Sequence, residues 1–479
     1  MEKIENSKRY PGKGAIWAIT LILLAAALGC FVWWGLTVYR LSLPGVIAAA
    51  ASLALFTVAL VLAVPAFVRF IAGLDEGRAA SAGDRTARRG KLAPAIRVML
   101  SVLAGRLLIM LIAYVIATIV NGYFGSIFAT AERIWLKLDT DAPHYFSIAE
   151  TWYTTTEPQM YTLVFLPLFP LTIRLFNFVT GSSFVSAMII NTLCSCGAGA
   201  CLYELALCDM GRRSARLAVL FAVAMPAAIF FIAPMSEALF FLLCSASLLA
   251  VRKEKFLLGA VIGALAAFTR SVGVLLMAPF AVEALGFIAR RRRQEGAKTG
   301  GLTVKLALYC LVIALGLFGY LLINKLLWGD WFKFLEFQRD VWYQGLGPFF
   351  GTAANQTTML ISDISRETAD VIGLWLPNLL FTFGALIVFI FSARVLRPSY
   401  SVYFAVYFAV TCGANWLLSA PRYLTALVII PLALAHLCES RDDGIAIGRA
   451  RAKTTIVTSV LIIGQIAYLT MYILGYSIY

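Results

Sequence analysis

The sequence predicts an all-α protein that crosses a membrane many times, and three observations lead to this prediction. Hydrophobic residues make up 61% of the 479 residues and charged residues only 14%, whereas soluble domains carry roughly 25% charged residues. The apolar residues form long runs, and about 20 such residues in a helix suffice to cross a bilayer. The excess of Lys and Arg, a formal charge of +15, lies in short stretches between these runs. That pattern is typical of cytoplasmic loops rather than of a nucleic-acid-binding surface.

The N-terminal part of the chain is predicted to hold three spans, at 15–39, 45–72 and 98–121. The first run is long enough to cross the membrane and has no small-residue cleavage site, so we expect an uncleaved first helix. The arginines between the second and third spans place that loop in the cytoplasm. The third span therefore leads outward into a long loop, 122–183.

Within this loop the segment 163–179 is apolar, but it contains Pro167, Pro170 and Arg174. Prolines interrupt helices, and an arginine is costly inside a bilayer. A crossing here would also place the RRSAR cluster at 212–216 outside, against the positive-inside rule. We therefore expect an interfacial or re-entrant helix on the outer face.

After a span at 184–208, two apolar runs are each basic at both ends and broken in the middle. The run 217–251 is broken at 234–237 and the run 256–289 at 269–273. Each predicts a hairpin of two helices with arms of about 15 residues, or ~22 Å, against a hydrocarbon core of ~30 Å. Irregular backbone at that depth must face protein or water. Glu237 and Arg270 are thus expected to line a cavity open to the outside, the alternative being a Glu–Arg pair that ties two helices together.

The C-terminal part is predicted to hold five spans and a second outer loop, 327–370. A polar stretch at 419–423 forms a third tip on the outer face. The predicted total is thirteen spans, with 163–179 excluded. The five C-terminal spans are 303–326, 371–393, 399–418, 422–437 and 454–476.

The outer loops carry residues suited to acid–base chemistry. Asp141, His144 and Tyr145 recur at helical spacing, so an acid, an imidazole and a phenol share one face of a short helix. Asp139 lies on a different face. A carboxylate close to arginines suits activation of a hydroxyl group beside an anionic leaving group.

Three arginines on this face are candidate phosphate ligands, because a guanidinium matches phosphate geometry and stays charged. The alternative for each is a helix-end pair or a snorkelling side chain, and His144 could equally be a hydrogen-bonded core residue. These arginines are Arg174, Arg270 and Arg422.

The sequence predicts neither a bound cofactor nor a metal. It has no phosphate-binding glycine loop between a strand and a helix. Its nine cysteines lie mostly inside apolar runs, and its two histidines form no cluster at ligand spacing. Because no soluble domain is predicted, any transferred sugar is expected to arrive on a lipid phosphate within the membrane.

Several segments resemble the GPI mannosyltransferase 2 (PIG-V-like) family, in the same order and with the same spacing over 135–342. DAPHYFSIAE at 141–150 resembles the D-A-x-H-aromatic-x-x-I-A-E motif. FLPLFP at 165–170 with Arg174 is similar to the FPLFP…R element, and PAAIF…SEALF over 226–240 to the PAAIF…SE-x-LF block. TRSVG at 269–273 resembles the T/V-R-S-N-G turn, and Gly329, Asp330 and Gln338 resemble the G-D…Q loop. PRY at 421–423 is a weaker match.

The resemblance implies a GT-C fold glycosyltransferase that uses a polyprenyl-phosphate-mannose donor, with inversion and without a metal. It implies that Asp141 is the general base for the acceptor hydroxyl and that Arg270, Arg422 and Arg174 hold the donor phosphate. The remaining predicted substrate-binding residues are His144, Tyr145, Glu237, Asp139 and Gln338. Thr140 stands where the family has Trp and Val272 where it has Asn, which leaves the acceptor preference open.

On this interpretation, residues 1–96 hold two N-terminal helices and a basic cytoplasmic loop. Residues 97–479 form the catalytic domain, with its active-site loop at 122–183. The expected partners are the lipid-linked donor, a glycolipid, glycan or protein acceptor, and membrane lipids, but no nucleic acid. We expect a bacterial plasma membrane, with the endoplasmic reticulum membrane as the alternative, and a site on the outer or lumenal face.

Two other functions remain open from the sequence. A transporter or flippase of a lipid-linked or anionic solute would also have broken helices with buried charges. A non-catalytic subunit of a glycosylation complex would use the same Asp and Arg residues structurally. The long acidic outer loop and the lack of an inverted repeat favour the enzyme over the transporter.

Overall fold

The computed structural model describes residues 13–38, 42–74, 92–122, 126–137, 140–296, 299–415, 417–439 and 444–478. These residues form helices joined by short connections, and the sole strand-like pairing among them is an isolated bridge between Leu346 and Ala414. Eight of the described helices are long and apolar enough to cross a membrane. The predicted class, an all-α polytopic membrane protein, is therefore confirmed. The eight are Lys13–Thr37, Leu43–Ile71, Pro94–Asn121, Ser183–Ala206, Ser271–Gln294, Gly300–Trp328, Thr368–Ser392 and Gly448–Leu474.

The N-terminal helices lead to the predicted active-site loop, 122–183. Ser42 caps the second helix by accepting a hydrogen bond from Gly45 N at 3.2 Å. That helix packs against the first helix and against two later helices, Phe349–Asp363 and Leu376–Ser392. The helices are α1 (Lys13–Thr37), α2 (Leu43–Ile71), α3 (Leu92–Asn121) and α4 (Ile127–Trp135).

The described residues of the predicted active-site loop, 122–183, include three short helices: α4, α5 (Ala142–Thr151) and α6 (Leu168–Thr180). A 3₁₀ turn at Gln159–Val164 lies between α5 and α6. The 13 residues of α6 span only about 20 Å, which is less than the ~30 Å hydrocarbon core. This length agrees with the prediction that the segment does not cross. It packs against α5 and against α7 (Ser183–Ala206).

Both predicted hairpins are present, and each contains a 3₁₀ turn. The second turn begins within the predicted break 269–273, whereas the first lies at Pro226–Phe231, ahead of the predicted break 234–237, because the helix ends where Pro226 lacks an N–H donor. Arg252 forms an ion pair with Asp209, so the second arm of the first hairpin returns to the level at which the first arm begins. Arg290 and Glu254, 3.8 Å apart, show the same return for the second hairpin. The hairpins are α8 (Arg212–Ala224), the turn Pro226–Phe231 and α9 (Glu237–Arg252), then α10 (Phe256–Thr269), the turn Ser271–Leu276 and α11 (Met277–Glu295).

The remaining helices complete the bundle, and one predicted span folds as two separate helices. The predicted span 422–437 is two helices, because Ala426 to Val428 interrupt it. Pro431 lies in the first turn of the second piece, where its ring would clash with the carbonyl of residue 427 if the helix were continuous. The helices are α12 (Gly300–Trp328), α13 (Lys333–Asp340), α14 (Phe349–Asp363), α15 (Thr368–Asp370) with a π-helical turn (Val371–Trp375), α16 (Leu376–Ser392), α17 (Pro398–Thr411), α18 (Ala420–Thr425), α19 (Ile429–Leu437) and α20 (Gly444–Leu474).

The count of thirteen spans stays a prediction. Several of the predicted crossings fold as helices of 9 to 16 residues, which are shorter than the roughly 20 residues a single crossing needs. These short helices are buried among the longer ones, and their ends create the breaks that carry the polar residues. The bundle therefore combines full-length helices with interrupted ones.

Close helix packing around the second hairpin depends on glycine. A Cβ atom on Gly316 of α12 would lie 1.9 Å from the carbonyl oxygen of Ala264 in α10. A Cβ atom on Gly273 would lie 2.4 Å from the backbone of Ala266. Small residues let helix backbones approach in this way inside membranes, and here they fix the turn that follows Arg270.

Buried ion pairs join the helix ends at the basic side of the bundle. The Arg397 Nη2 atom lies 2.9 Å from Glu283 Oε2. Tyr400 donates its hydroxyl to Asp209 Oδ2 at 2.9 Å, and Arg252 also pairs with Asp209. These contacts tie α9, α11 and α17 to the segment before α8.

Candidate active site

Four of the predicted residues form one ion-pair cluster at the end of the bundle away from these basic pairs. Each lies where a helix begins or ends. Asp141 directly precedes α5, Glu237 is the first residue of α9, Arg270 directly follows α10, and Arg422 is the third residue of α18. Asp141 and Arg422 are in contact although 281 positions separate them in the chain. The cluster thus joins the predicted active-site loop, both hairpin tips and the 419–423 tip.

Arg422 lies at the centre of the cluster. Its Nη2 donates to Asp141 Oδ2 and its Nε to Glu237 Oε1. The guanidinium also lies 5.6 Å from the centroid of the Phe230 ring, an attractive cation–π geometry. Its planar fork of donors lets this single residue hold two carboxylates at once.

Glu237 connects the two arginines. Its Oε1 accepts from both Arg270 and Arg422, whereas its Oε2 is buried without a hydrogen-bond partner in the structure. As the first residue of α9, its negative charge is stabilised by the N-terminal end of the helix dipole. Glu237 therefore holds both guanidinium groups and keeps one acceptor atom unused.

Arg270 is held from several sides. Its Nη1 donates to Glu237 and, at 3.2 Å, to the Ser236 hydroxyl, which in turn lies 2.9 Å from the Tyr145 hydroxyl. Its guanidinium lies 5.1 Å from the Tyr423 ring centroid. Tyr145 thus links α5 to the same cluster through Ser236.

The cluster is reached from the side of Asp141. The side chains of Glu237, Arg422 and Arg270 are 1%, 5% and 11% exposed, whereas that of Asp141 is 24% exposed. Asp141 occupies the N-cap position of α5 but makes no capping hydrogen bond there; its carboxylate bonds to Arg422 instead. A hydroxyl-bearing molecule would therefore meet this carboxylate first.

The expectation that Glu237 and Arg270 line an open cavity needs correction. Both side chains are buried against each other and Arg422, so the alternative of an ion pair tying helices together describes this state. The physical reason is that a buried charge without a counter-charge is strongly destabilising. Two carboxylates and two guanidinium groups satisfy this requirement together.

His144 and Tyr145 lie beside the cluster in different environments. The His144 ring stacks on Phe165 with a centroid distance of 4.9 Å and meets the edge of Trp342 at 5.3 Å. Burial lowers the pKa of His144, so its imidazole is neutral at neutral pH. Burial and the nearby Asp141 raise the pKa of Tyr145, which keeps its phenol protonated. Both side chains can thus offer hydrogen bonds without a formal charge.

The other predicted site residues lie apart. Gln338 donates from Nε2 to Gln344 Oε1 at 2.5 Å, within the predicted second outer loop, 327–370. Arg174 is exposed on α6. Among the described contacts, none joins either residue to the ion-pair cluster. Asp139 falls outside the described residues, so its role, like those of Arg174 and Gln338, stays a prediction.

Two residues near the cluster, Trp342 and Glu150, were given no role from the sequence. Trp342 links the predicted second outer loop to His144 and Phe165. The only sequence signal for this contact is the position of Trp342 in an aromatic-rich loop. Glu150, at the end of the motif, accepts from the Ser183 hydroxyl at 2.5 Å and so ties α5 to α7. Within the described part of the chain, no group of three His, Cys, Asp or Glu side chains is placed to hold a metal ion.

Comparison with known proteins gives matches among solved structures alone. No family model and no curated protein matches the chain. ArnT from Cupriavidus metallidurans bound to undecaprenyl phosphate is 13% identical with a TM-score of 0.34, over 70% of each chain. The archaeal oligosaccharyltransferase AglB from Archaeoglobus fulgidus, in complex with an inhibitory peptide and a dolichol-phosphate, is 13% identical with a TM-score of 0.39. The apo form of the Archaeoglobus fulgidus oligosaccharyltransferase is 11% identical with a TM-score of 0.37.

This chain spans 56% of the length of each of the two Archaeoglobus chains and 76% of its own length is covered. Identities and TM-scores of this size are too low to transfer a residue role or a substrate. The resemblance of the sequence motifs to the PIG-V-like family therefore remains a prediction, and the chemistry of the site has to be argued from its own residues.

Proposed function

We propose that this integral membrane protein is an inverting glycosyltransferase of GT-C type. It moves mannose from a polyprenyl-phosphate-mannose donor to a membrane-associated acceptor on the extracytoplasmic face. One observation carries the proposal: an accessible carboxylate, Asp141, lies in direct contact with a buried arginine that is part of a two-arginine cluster. A base beside cationic groups is the arrangement needed to activate a hydroxyl next to an anionic leaving group.

In the proposed reaction the acceptor hydroxyl attacks the anomeric carbon from the face opposite the phosphate. The new bond joins the acceptor oxygen to that carbon, and the bond between the carbon and the phosphate oxygen breaks. The electron pair of the broken bond leaves on the polyprenyl phosphate, and the hydroxyl proton passes to the Asp141 carboxylate. The single displacement inverts the configuration at the anomeric carbon.

The arginines would stabilise the leaving phosphate. A guanidinium has five N–H donors and keeps its charge, so Arg422 and Arg270 can bind a phosphate oxygen while they remain bonded to Glu237. Glu237 would hold both arginines at a fixed separation. Donors fixed in advance where charge develops are the largest contribution to many enzyme rate enhancements.

The aromatic group of His144, Phe165 and Trp342 would bind the sugar or the acceptor. A ring face packs against the apolar face of a sugar, and the neutral imidazole of His144 can hydrogen-bond a hydroxyl. The Trp342 Nε1 donor is buried without a hydrogen-bond partner in the structure, which suits a site completed by a ligand oxygen.

The direct test is incubation of the purified protein with labelled polyprenyl-phosphate-mannose and a membrane lipid extract. The expected result is a labelled product with an inverted linkage, together with released polyprenyl phosphate. Reconstituted vesicles separate the rival function: translocation of an intact lipid-linked sugar without any transfer product would support a transporter and overturn the proposal.

A further inference from the structure

Two fully buried asparagines contact the backbone just ahead of Glu237 and Arg422. Asn191 lies in α7 and Asn378 in α16, and both side chains are buried. An asparagine inside an apolar helix is costly unless its amide is hydrogen-bonded. Each amide donates from Nδ2 to backbone carbonyls within four residues of Glu237 or Arg422. Asn378 Nδ2 also donates to Leu374 O at 2.8 Å, and Asn191 Oδ1 has no hydrogen-bond partner in the structure.

Asn191 holds the tip of the first hairpin. Its Nδ2 donates to the carbonyl oxygens of Ala233 at 2.5 Å and Met235 at 3.0 Å. Met235 is two residues before Glu237. The backbone between the 3₁₀ turn and α9 is not helical, so few backbone N–H groups are placed to bond its carbonyls; Ala233 O also accepts from Met235 N at 2.7 Å.

Arg106 of α3, which also bonds the Ser195 hydroxyl of α7 at 3.3 Å, contacts the same tip. Its Nη1 donates to Phe231 O at 2.5 Å and its Nη2 to Ile232 O at 3.3 Å. Arg106 and Asn191 together donate hydrogen bonds to four backbone carbonyls between Phe231 and Met235. The position of Glu237 is therefore set by polar side chains of α3 and α7.

Asn378 does the corresponding work for Arg422. Its Nδ2 donates to Leu418 O at 3.1 Å and its Oδ1 accepts from Ala420 N at 2.7 Å. Ala420 is two residues before Arg422. Gln356 of α14 donates from Nε2 to Leu417 O at 3.0 Å. The backbone that leads into α18 is therefore hydrogen-bonded by side chains of both α14 and α16.

We propose that Asn191 and Asn378 are positioning residues of the site: Asn191 sets the place of Glu237, and Asn378 sets the place of Arg422. The catalytic part of this inference rests on the proposed glycosyl transfer. A displacement of about 1 Å in a catalytic constellation can cost roughly 10²-fold in rate, so two amides that fix the backbone within two residues of these charges control the reaction without touching substrate.

The test uses the full-length protein in lipid nanodiscs and compares Asn191→Leu and Asn378→Leu with the wild type. Leucine has nearly the same shape but no donor or acceptor. Ser247→Ala is the matched control, because the Ser247 hydroxyl also bonds a buried backbone carbonyl, Gly259 O at 2.8 Å, at the other end of the helix that carries Glu237. If a leucine variant does not fold, the serine variant at the same position takes its place.

Two readouts are measured on each variant. Hydrogen exchange is expected to accelerate over 231–237 in Asn191→Leu and over 417–423 in Asn378→Leu, each in its own tip, and in neither for Ser247→Ala. Per folded molecule, kcat/KM for the donor is expected to fall about 10²-fold in both leucine variants and to stay at the wild-type value in the control. Asn378→Leu is expected to act more on the donor KM, since Arg422 faces the donor phosphate.

The outcomes distinguish the positioning role of the asparagines from the proposed sugar transfer. Faster exchange with wild-type kcat and KM per folded molecule would make the asparagines purely structural and overturn the inference. Acceleration that spreads equally over both tips in each variant would overturn the one-to-one assignment. A wild-type protein that transfers no sugar would overturn the proposed function instead, while the exchange pattern would still decide which asparagine holds which tip.

Discussion

Replacing Asp141 by Asn tests the proposed base with the smallest change of shape. The amide keeps an oxygen that can accept from Arg422 but has no useful basicity. A positioned general base contributes about 10²–10⁴-fold to a rate, which corresponds to about 3–5 kcal/mol at 1.36 kcal/mol per tenfold. We therefore expect the turnover number of Asp141→Asn to fall by this factor.

The same substitution is expected to leave the fold in place. Arg422 keeps its bond to Glu237, so its guanidinium is not left without a carboxylate. The hydrogen bond to residue 141 weakens rather than disappears, and the carboxylate is 24% exposed. The loss of stability should stay below the roughly 3 kcal/mol attributed to a hydrogen bond with a charged group.

The assay compares purified wild type and Asp141→Asn with labelled polyprenyl-phosphate-mannose at saturating acceptor, and size-exclusion profiles confirm equal folding. Donor binding is measured in parallel, because loss of the base should not weaken it. A variant that folds, binds donor and transfers sugar at the wild-type rate would refute the assignment of Asp141.

Three further predictions concern the charges around the site and at the opposite end. Glu237→Gln removes the anion shared by two buried guanidinium groups, so thermal unfolding should show a loss of about 3–5 kcal/mol; a stability equal to that of wild type would contradict the pairing. Because burial lowers the pKa of His144 from 6.5, its unfolded form binds the proton first, and stability should fall as pH drops below 6.5 through the lowered pKa. Unfolding curves between about pH 7.5 and pH 5 should lose this component in His144→Phe. Arg397→Met leaves Glu283 buried without its partner and should cost about 3–5 kcal/mol, with unchanged sugar transfer per folded molecule.

The sequence predicted the breaks in the helices well, because their signals are local. Proline and glycine at 234 and 273, with charges inside apolar runs and basic residues at both ends, indicated two hairpins. The start of α9 and the end of α10 agree with the predicted breaks, whereas α8 ends at Ala224, ten residues before Pro234. The charged residues at these breaks were also found, since Glu237 and Arg270 are conspicuous in an apolar setting. Local composition therefore identified two of the four residues of the ion-pair cluster.

The partners of these residues could not be predicted in the same way. The contact between Asp141 and Arg422 joins positions 281 residues apart, and no local pattern encodes it. Asn191 and Asn378 looked like isolated polar residues in apolar helices, because the carbonyls they bond become accessible only once the tips fold against α7 and α16. The break at 426–428 was missed because its cause, Pro431, lies inside the apolar run.

The ion-pair cluster contains two positive and two negative side chains, so its formal charge is zero before any ligand arrives. The phosphodiester of the lipid-linked donor brings an uncompensated negative charge into a poorly hydrated space. Either a proton must enter with the phosphate, or one carboxylate of the cluster must break its hydrogen bond to Arg422. Asp141, the most accessible of the four, is the carboxylate most easily displaced, and a displaced Asp141 would be free to accept a proton only when the lipid donor is already in place.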